Sequence, residues 1–258
     1  MSLDKILKSR GLLSMKEYSQ LVNSSTYIST GYPELDEAIH PITDDCPNGG
    51  GFPTGAITEV FGMPATGKSR FVKDVCLRPE LKSLYIDTEN SLPADEFNYL
   101  SQHCDVISEN VLENIWGIVN DCVAERLYNF IVVDSIAATT TNAELANDTE
   151  QTMSSQLAKS KVMTSWLKPL VGLLRGSNCA VVFVNHKKIA PGVVPKVYTP
   201  GGSMLPFLST VRLDFSAPKS KLRHSDSGST QGVEVKIAKS RSSQKDSIVS
   251  IKIKLGNN

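Results

Sequence analysis

The apolar run AITEVF (56–61) passes without a gap into GMPATGKSR (62–70), and that loop passes into FVKDVCL (71–77). Strand, glycine-rich loop and helix in this order leave few folds open. GMPATGKS fits the spacing GxxxxGK[ST], in which successive backbone N–H groups form a concave nest for phosphate oxygens at the positive end of the following helix. Gly62 and Gly67 let the main chain turn closely, and of Met63, Pro64, Ala65 and Thr66 between them all but Pro64 supply an N–H. Lys68 provides a point charge for the β- and γ-phosphates, the Ser69 hydroxyl is a Mg²⁺ ligand, and Arg70 ends the run that touches the nucleotide. The expected cofactors are therefore ATP and Mg²⁺.

The rest of the chain fits an α/β fold around such a loop. Strand-length runs occur at AITEVFG, SLYIDTE, FIVVDSIAA, CAVVFVNH, STVRLDFS, GVEVKIAKS and SIVSIKIKL. FIVVDSIAA and CAVVFVNH are almost continuously apolar, as central parallel strands covered on both faces must be. The last two alternate, as antiparallel strands near an edge do. Helical stretches fit 67–77, 94–104, 111–128 and 152–175, and TGYPELDEAI reads as a short helix before the turn-rich PNGGGFPTG. The expectation is a mostly parallel central sheet with a β-rich C-terminal end. Residues 1–26, with the capping pair Ser14 and Glu17, read as a short helical extension, and 27–258 as one ATPase core. SDSGST reads as an exposed turn.

Bulk properties narrow the class. With 258 residues and 40% hydrophobic content the chain has material for one good core. A formal net charge of +0 gives no general attraction to nucleic acid or acidic membranes, so any such binding must be local. No apolar run reaches membrane length and the N-terminus is not that of a signal peptide, so the expected protein is soluble, with no membrane partner. The five cysteines, Cys46, Cys76, Cys104, Cys122 and Cys179, show no metal-binding spacing and are expected to be reduced.

Three strand ends carry the remaining chemistry. Asp134 closes FIVVD, where a carboxylate needs a reason to be buried. Beside the loop it holds Mg²⁺, through water. SLYIDTE offers Asp87 and Glu89, and Glu89 is the candidate for orienting an attacking water. CAVVFVNH ends in Asn185 and His186, a polar pair placed to sense the γ-phosphate.

Together, STGYPELDEAI, GGFPTGAITEVFGMPATGKS, LYIDTE, IVVDSIA, VVFVNH and PGGSMLPFLSTVRLDF resemble the ATPase core of RecA/RadA-type recombinases, in order and over nearly the whole chain from about Ile28. The resemblance implies phosphate and Mg²⁺ binding by Lys68 and Ser69, a second metal residue in Asp134, and a catalytic glutamate in Glu89. It also implies a switch at Asn185–His186 between nucleotide and DNA-binding loop. The His186 form is similar to phage UvsX and to some eukaryotic recombinase paralogues.

Departures from the family shape the expected role. The first 26 residues leave no room for an N-terminal helix-hairpin-helix domain. The first DNA-binding loop falls at 139–156, with Glu144, Asp148 and Glu150 and no Lys or Arg, although phosphate binding calls for a basic loop. The second, 187–200, is basic through Lys187, Lys188 and Lys196, with Tyr198 to stack on a base. GVEVKIAKSRSSQ is most similar to the eukaryotic paralogues. The chain is thus expected to be a recombination mediator of the nucleus, or of the cytoplasm in a prokaryotic or phage source. It would hydrolyse ATP slowly and bind single-stranded DNA weakly alone. Its partners would be another paralogue or accessory protein and the main recombinase filament. The alternatives are a self-sufficient UvsX- or RadA-like strand-exchange ATPase and a non-hydrolysing structural subunit.

Overall fold

Runs of β-branched residues cannot leave their backbone unpaired when buried, so they line up as a sheet. In the computed structural model the runs at Ala56–Gly62 (β3), Ser83–Asp87 (β4), Phe130–Asp134 (β6) and Ala180–His186 (β7) form its parallel centre. The structure describes residues 5, 14, 16, 26–41, 43, 50–146, 153–190, 196–218, 230–240 and 246–254. The expected helical extension lies almost entirely outside these, as do Cys46, Asp148, Glu150 and most of SDSGST.

Asp105–Ser108 (β5), Val211–Ser216 (β10), Thr230–Lys239 (β11) and Ile248–Lys254 (β12) complete an eight-stranded sheet of order β12-β11-β10-β3-β7-β6-β4-β5. Strands β10 to β5 are parallel, whereas β10–β11 and β11–β12 pair antiparallel. The mostly parallel sheet with its β-rich end is therefore as expected. A small antiparallel pair, Tyr27–Ile28 (β1) with Phe52–Pro53 (β2), stands apart, as does the hairpin of Lys188–Ala190 (β8) and Lys196–Tyr198 (β9).

Alternate side chains leave the sheet on opposite faces and meet helices on both. Val60, Tyr85, Val132 and Val182 pack against Pro33–Ile39 (α1), Lys68–Cys76 (α2) and Ala94–Leu100 (α3) through Leu35, Phe71, Val72, Val75 and Leu100. Ile57, Ile86, Ile131 and Phe183 pack against Leu112–Ala124 (α4) and Met153–Leu174 (α6) through Ile115, Val119, Trp166 and Leu170. Trp166 meets Phe183 edge to face at 5.3 Å, and its indole N–H donates to Asn120 Oδ1 at 3.2 Å. Full burial of side chains of this size stabilises the fold by about 1.5–3 kcal/mol each. Two short helices, Asn142–Ala146 (α5) and Met204–Leu208 (α7), complete the described set, in which no helix is long and apolar enough to cross a membrane.

Several boundaries differ from the sequence reading. FIVVDSIAA is strand only to Asp134 and then a 3₁₀ turn at Ile136–Ala138. The helices expected at 94–104 and 111–128 are shorter, at Ala94–Leu100 and Leu112–Ala124. Strand β5 gave no alternating signal, because this short edge strand is only partly buried.

Candidate nucleotide site

The parallel strands bring their carboxyl ends to one edge, with Gly62 beside His186 and Asp87 beside Asp134. Gly62 is also level with Phe215 of β10, so close that a Cβ there would stand 2.2 Å from the Phe215 carbonyl oxygen. Only glycine permits this approach. Ala65 (φ 57°) and Gly67 (φ 86°) take left-handed conformations, which fold 62–67 into a concave turn ahead of α2. The turn is braced from within by Thr66 Oγ1 donating to Met63 O at 2.8 Å, and from β11 by Gln231 Nε2 donating to Ala65 O at 3.3 Å.

Lys68 is buried, and its Nζ donates back to Met63 O at 2.8 Å. Burial lowers its pKa, against the opposing pull of Asp134 and Glu89. An ammonium held in a cradle of backbone, at a helix N-terminus with no acidic residue in its first turn, suits polyphosphate. Arg70 pairs with Asp74 at 3.0 Å along a half-buried side of α2.

Asp134 is almost wholly buried, accepting from Tyr85 OH at 2.7 Å and from the Ser69 hydroxyl. Burial raises its pKa despite those two hydrogen bonds, and Glu89 adds to the rise. Burial likewise pushes the Tyr85 phenol well above its ordinary range. A buried carboxylate and a hydroxyl side by side fit a Mg²⁺ ion bound mainly through phosphate and water. Among the described residues no group of three or more His, Cys, Asp or Glu forms a cage of its own.

Asp87 and Glu89 part company here. Both Asp87 oxygens accept backbone N–H groups, from Glu89 and Asn90 at 3.1 Å and from Ser91 and Leu92 at 3.1 and 3.3 Å. Asp87 therefore shapes the turn that presents Glu89. The Glu89 carboxylate accepts from Ser135 Oγ at 3.0 Å and lies 3.7 Å from His186 Nε2. Thr88 and Ser135 clamp the two strand ends, with Thr88 Oγ1 donating to Ser135 O and accepting the Ser135 N–H, each at 2.7 Å. His186 has a lowered pKa, from burial first and then from Lys68, with Glu89 opposing.

Asn185 is fully buried and faces away from the phosphate loop. Its Nδ2 donates to Glu59 Oε1 at 3.1 Å and to Pro200 O at 3.0 Å. Sequence reasoning passed over Glu59, although a lone acid inside AITEVF was a signal that a buried partner must exist. Tyr85 and the Thr88–Ser135 clamp were also missed, since small polar residues at strand ends are common.

The segment 187–200 is only partly the basic loop expected. Lys187 Nζ is bound to Asp214 Oδ2 at 2.6 Å, so its charge is neutralised. Lys188, Lys196 and Tyr198 lie on the β8–β9 hairpin, where Lys188 is exposed and Tyr198 stands opposite it. In the acidic segment, Glu144 belongs to a capping box. Its Oε2 accepts the Thr141 N–H at 2.7 Å, and its own N–H donates to Thr141 Oγ1 at 3.2 Å.

A parallel sheet with a phosphate cradle at the carboxyl end of a central strand, and acids on the strands beyond, defines a P-loop nucleotide-binding core. The sequence matches the RecA N-terminal domain family over residues 2–258, and the chain belongs to that family. It is 30% identical over 202 residues to Protein RecA of Paracoccus denitrificans, covering 74% of this chain and 55% of that protein. Against Protein RecA of Ehrlichia chaffeensis the identity is 32% over 197 residues, 72% of this chain and 52% of the other. Against that of Treponema denticola it is 26% over 248 residues, 92% and 59%. The chain thus spans between about half and three-fifths of the length of these relatives. They are bacterial proteins and point neither to the eukaryotic paralogue branch nor to a nucleus.

Proposed function

We propose that this chain binds ATP–Mg²⁺ and hydrolyses it slowly, and that it serves homologous recombination on single-stranded DNA. The observation that carries the reading is the placement of Glu89, held by Ser135 and facing His186, beside buried Lys68 and the Ser69–Asp134 pair. The loop 62–67 and Lys68 would hold the phosphates, and Ser69 and Asp134 the metal. When bound, Mg²⁺ would supply positive charge to offset that of the phosphates. Glu89 orients a water by accepting a hydrogen bond from its O–H, and Ser135 fixes the carboxylate for that task. His186, kept neutral by its surroundings, offers a hydrogen bond at the phosphate end.

Within this reading the chain acts as a mediator beside a recombinase filament, with an accessory protein as partner. The support is the low free charge of its DNA-facing segment, in which Lys187 is neutralised by Asp214. The relatives named RecA favour a second reading, self-sufficient strand exchange. A single set of assays tests both. Lys68→Ala should abolish binding of a labelled ATP analogue. Glu89→Gln should spare binding and lower turnover roughly a hundredfold. Unchanged binding in Lys68→Ala refutes the site, and robust joint-molecule formation by the purified chain alone replaces the mediator with the second reading.

A further inference from the structure

Glu59 lies in β3, three residues before Gly62, and is fully buried. Nothing in the phosphate chemistry uses it. An isolated carboxylate in that position would be costly, yet each oxygen here has its own donor. Oε1 accepts from Asn185 Nδ2 at 3.1 Å, and Oε2 accepts from Arg212 Nε at 2.6 Å. The Arg212 guanidinium also lies over the Phe61 ring, 4.4 Å from its centroid. Strands β7 and β10 flank β3, so Glu59 joins side chains from both neighbours.

This arrangement dictates how the Asn185 amide points. Glu59 Oε1 and the Pro200 carbonyl are both acceptors, so the side facing them must be the NH₂ group. The amide oxygen is then left to accept the His186 N–H at 2.9 Å. A turned amide would set oxygen against two oxygens and nitrogen against an N–H. Pro200 follows the β8–β9 hairpin closely in sequence, and His186 reaches Glu89 at 3.7 Å. One amide therefore touches the route to the hairpin on one side and the phosphate end on the other.

We propose that Glu59, anchored by Arg212, is the positioning residue that fixes the Asn185 amide and thereby couples the Lys188–Tyr198 hairpin to His186. The coupling to nucleotide rests on the ATP-binding reading above, whereas the anchoring of the hairpin does not. Glu59→Gln places a second NH₂ group in a site built for two donors, so one of the two contacts is lost. Asn185→Ala removes the link to Pro200 and leaves Glu59 with Arg212. Arg212→Lys keeps the cation.

The test is amide hydrogen exchange of the full chain, read by mass spectrometry with and without ATP–Mg²⁺. Without nucleotide, exchange at 188–190 and 196–199 should rise about fivefold in Glu59→Gln and in Asn185→Ala, the effect of one lost hydrogen bond. Strands β3, β7 and β10 should keep their protection, and Arg212→Lys should behave as the parent. With nucleotide, the parent's hairpin exchange should change and that of Glu59→Gln should not, at ATP affinity within about twofold of the parent. Should Glu59→Gln fail to fold, Asn185→Ala decides. Parental hairpin exchange in the folded variants overturns the proposal. So does a rise spread over the whole sheet, which marks a packing role. If the parent binds no ATP, the nucleotide reading falls while the comparison without nucleotide still judges Glu59.

Discussion

The buried carboxylate of Asp134 has two hydrogen-bond donors and yet a raised pKa, because burial outweighs them. A carboxyl whose folded pKa is raised adds its full stability below the ordinary carboxylate range, and that stability is lost as pH rises through the folded value. Above its folded pKa and without metal, Asp134 therefore costs the fold stability. Asp134→Asn should melt about 2–4 °C higher than the parent at pH 7.5 and should lose this advantage towards pH 4. The same substitution should weaken ATP–Mg²⁺ binding, and a lower melting temperature at pH 7.5 would refute the argument. Asp134 was legible from sequence because a lone acid closing FIVVD is a local pattern. Its dependence on Tyr85 was not, since the two residues meet only when β4 and β6 pair.

At the scale of elements, the β8–β9 hairpin illustrates what spacing alone misses. Three lysines in 187–200 suggest three phosphate contacts, but Asp214 of β10 takes the first. With Lys188 and Lys196 as the two contacts, single-stranded DNA binding should show a log–log salt slope of about −1.4, from about 0.7 per phosphate neutralised. Replacing both by Ala should bring the slope close to zero, whereas Lys187→Ala should leave it unchanged. Measured anisotropy between low and moderate salt separates these outcomes. Glu144 is a similar case, since an acid read as part of a loop lacking cations for phosphate is a helix cap within α5. The phosphate loop and the central strands were legible because their signals are contiguous in sequence. The roles of Lys187, Glu59 and Glu144 depend on partners supplied by other turns and strands, and composition carries no trace of these pairings.

For the whole molecule, β3 is the keel: it carries the phosphate loop, Glu59 and the close approach to Phe215. Gly62→Ala should destabilise the protein by about 1–3 kcal/mol, the usual result of forcing a group into packed main chain. Denaturant unfolding checks this, and parental stability would show that β10 yields freely. The apolar runs marked FIVVDSIAA and CAVVFVNH as central rather than AITEVFG, and nothing in AITEVFG says which strands flank it. Those neighbours, β7 and β10, arrive roughly half a chain later. Synthesis from the ribosome therefore delivers the cradle long before the strands that flank it exist, and such distant pairings form slowly. A bound nucleotide favours only the finished arrangement and acts late, as a latch on a closed sheet. A nascent chain stalled before residue 180 would carry the complete GMPATGKS loop and hold no phosphate.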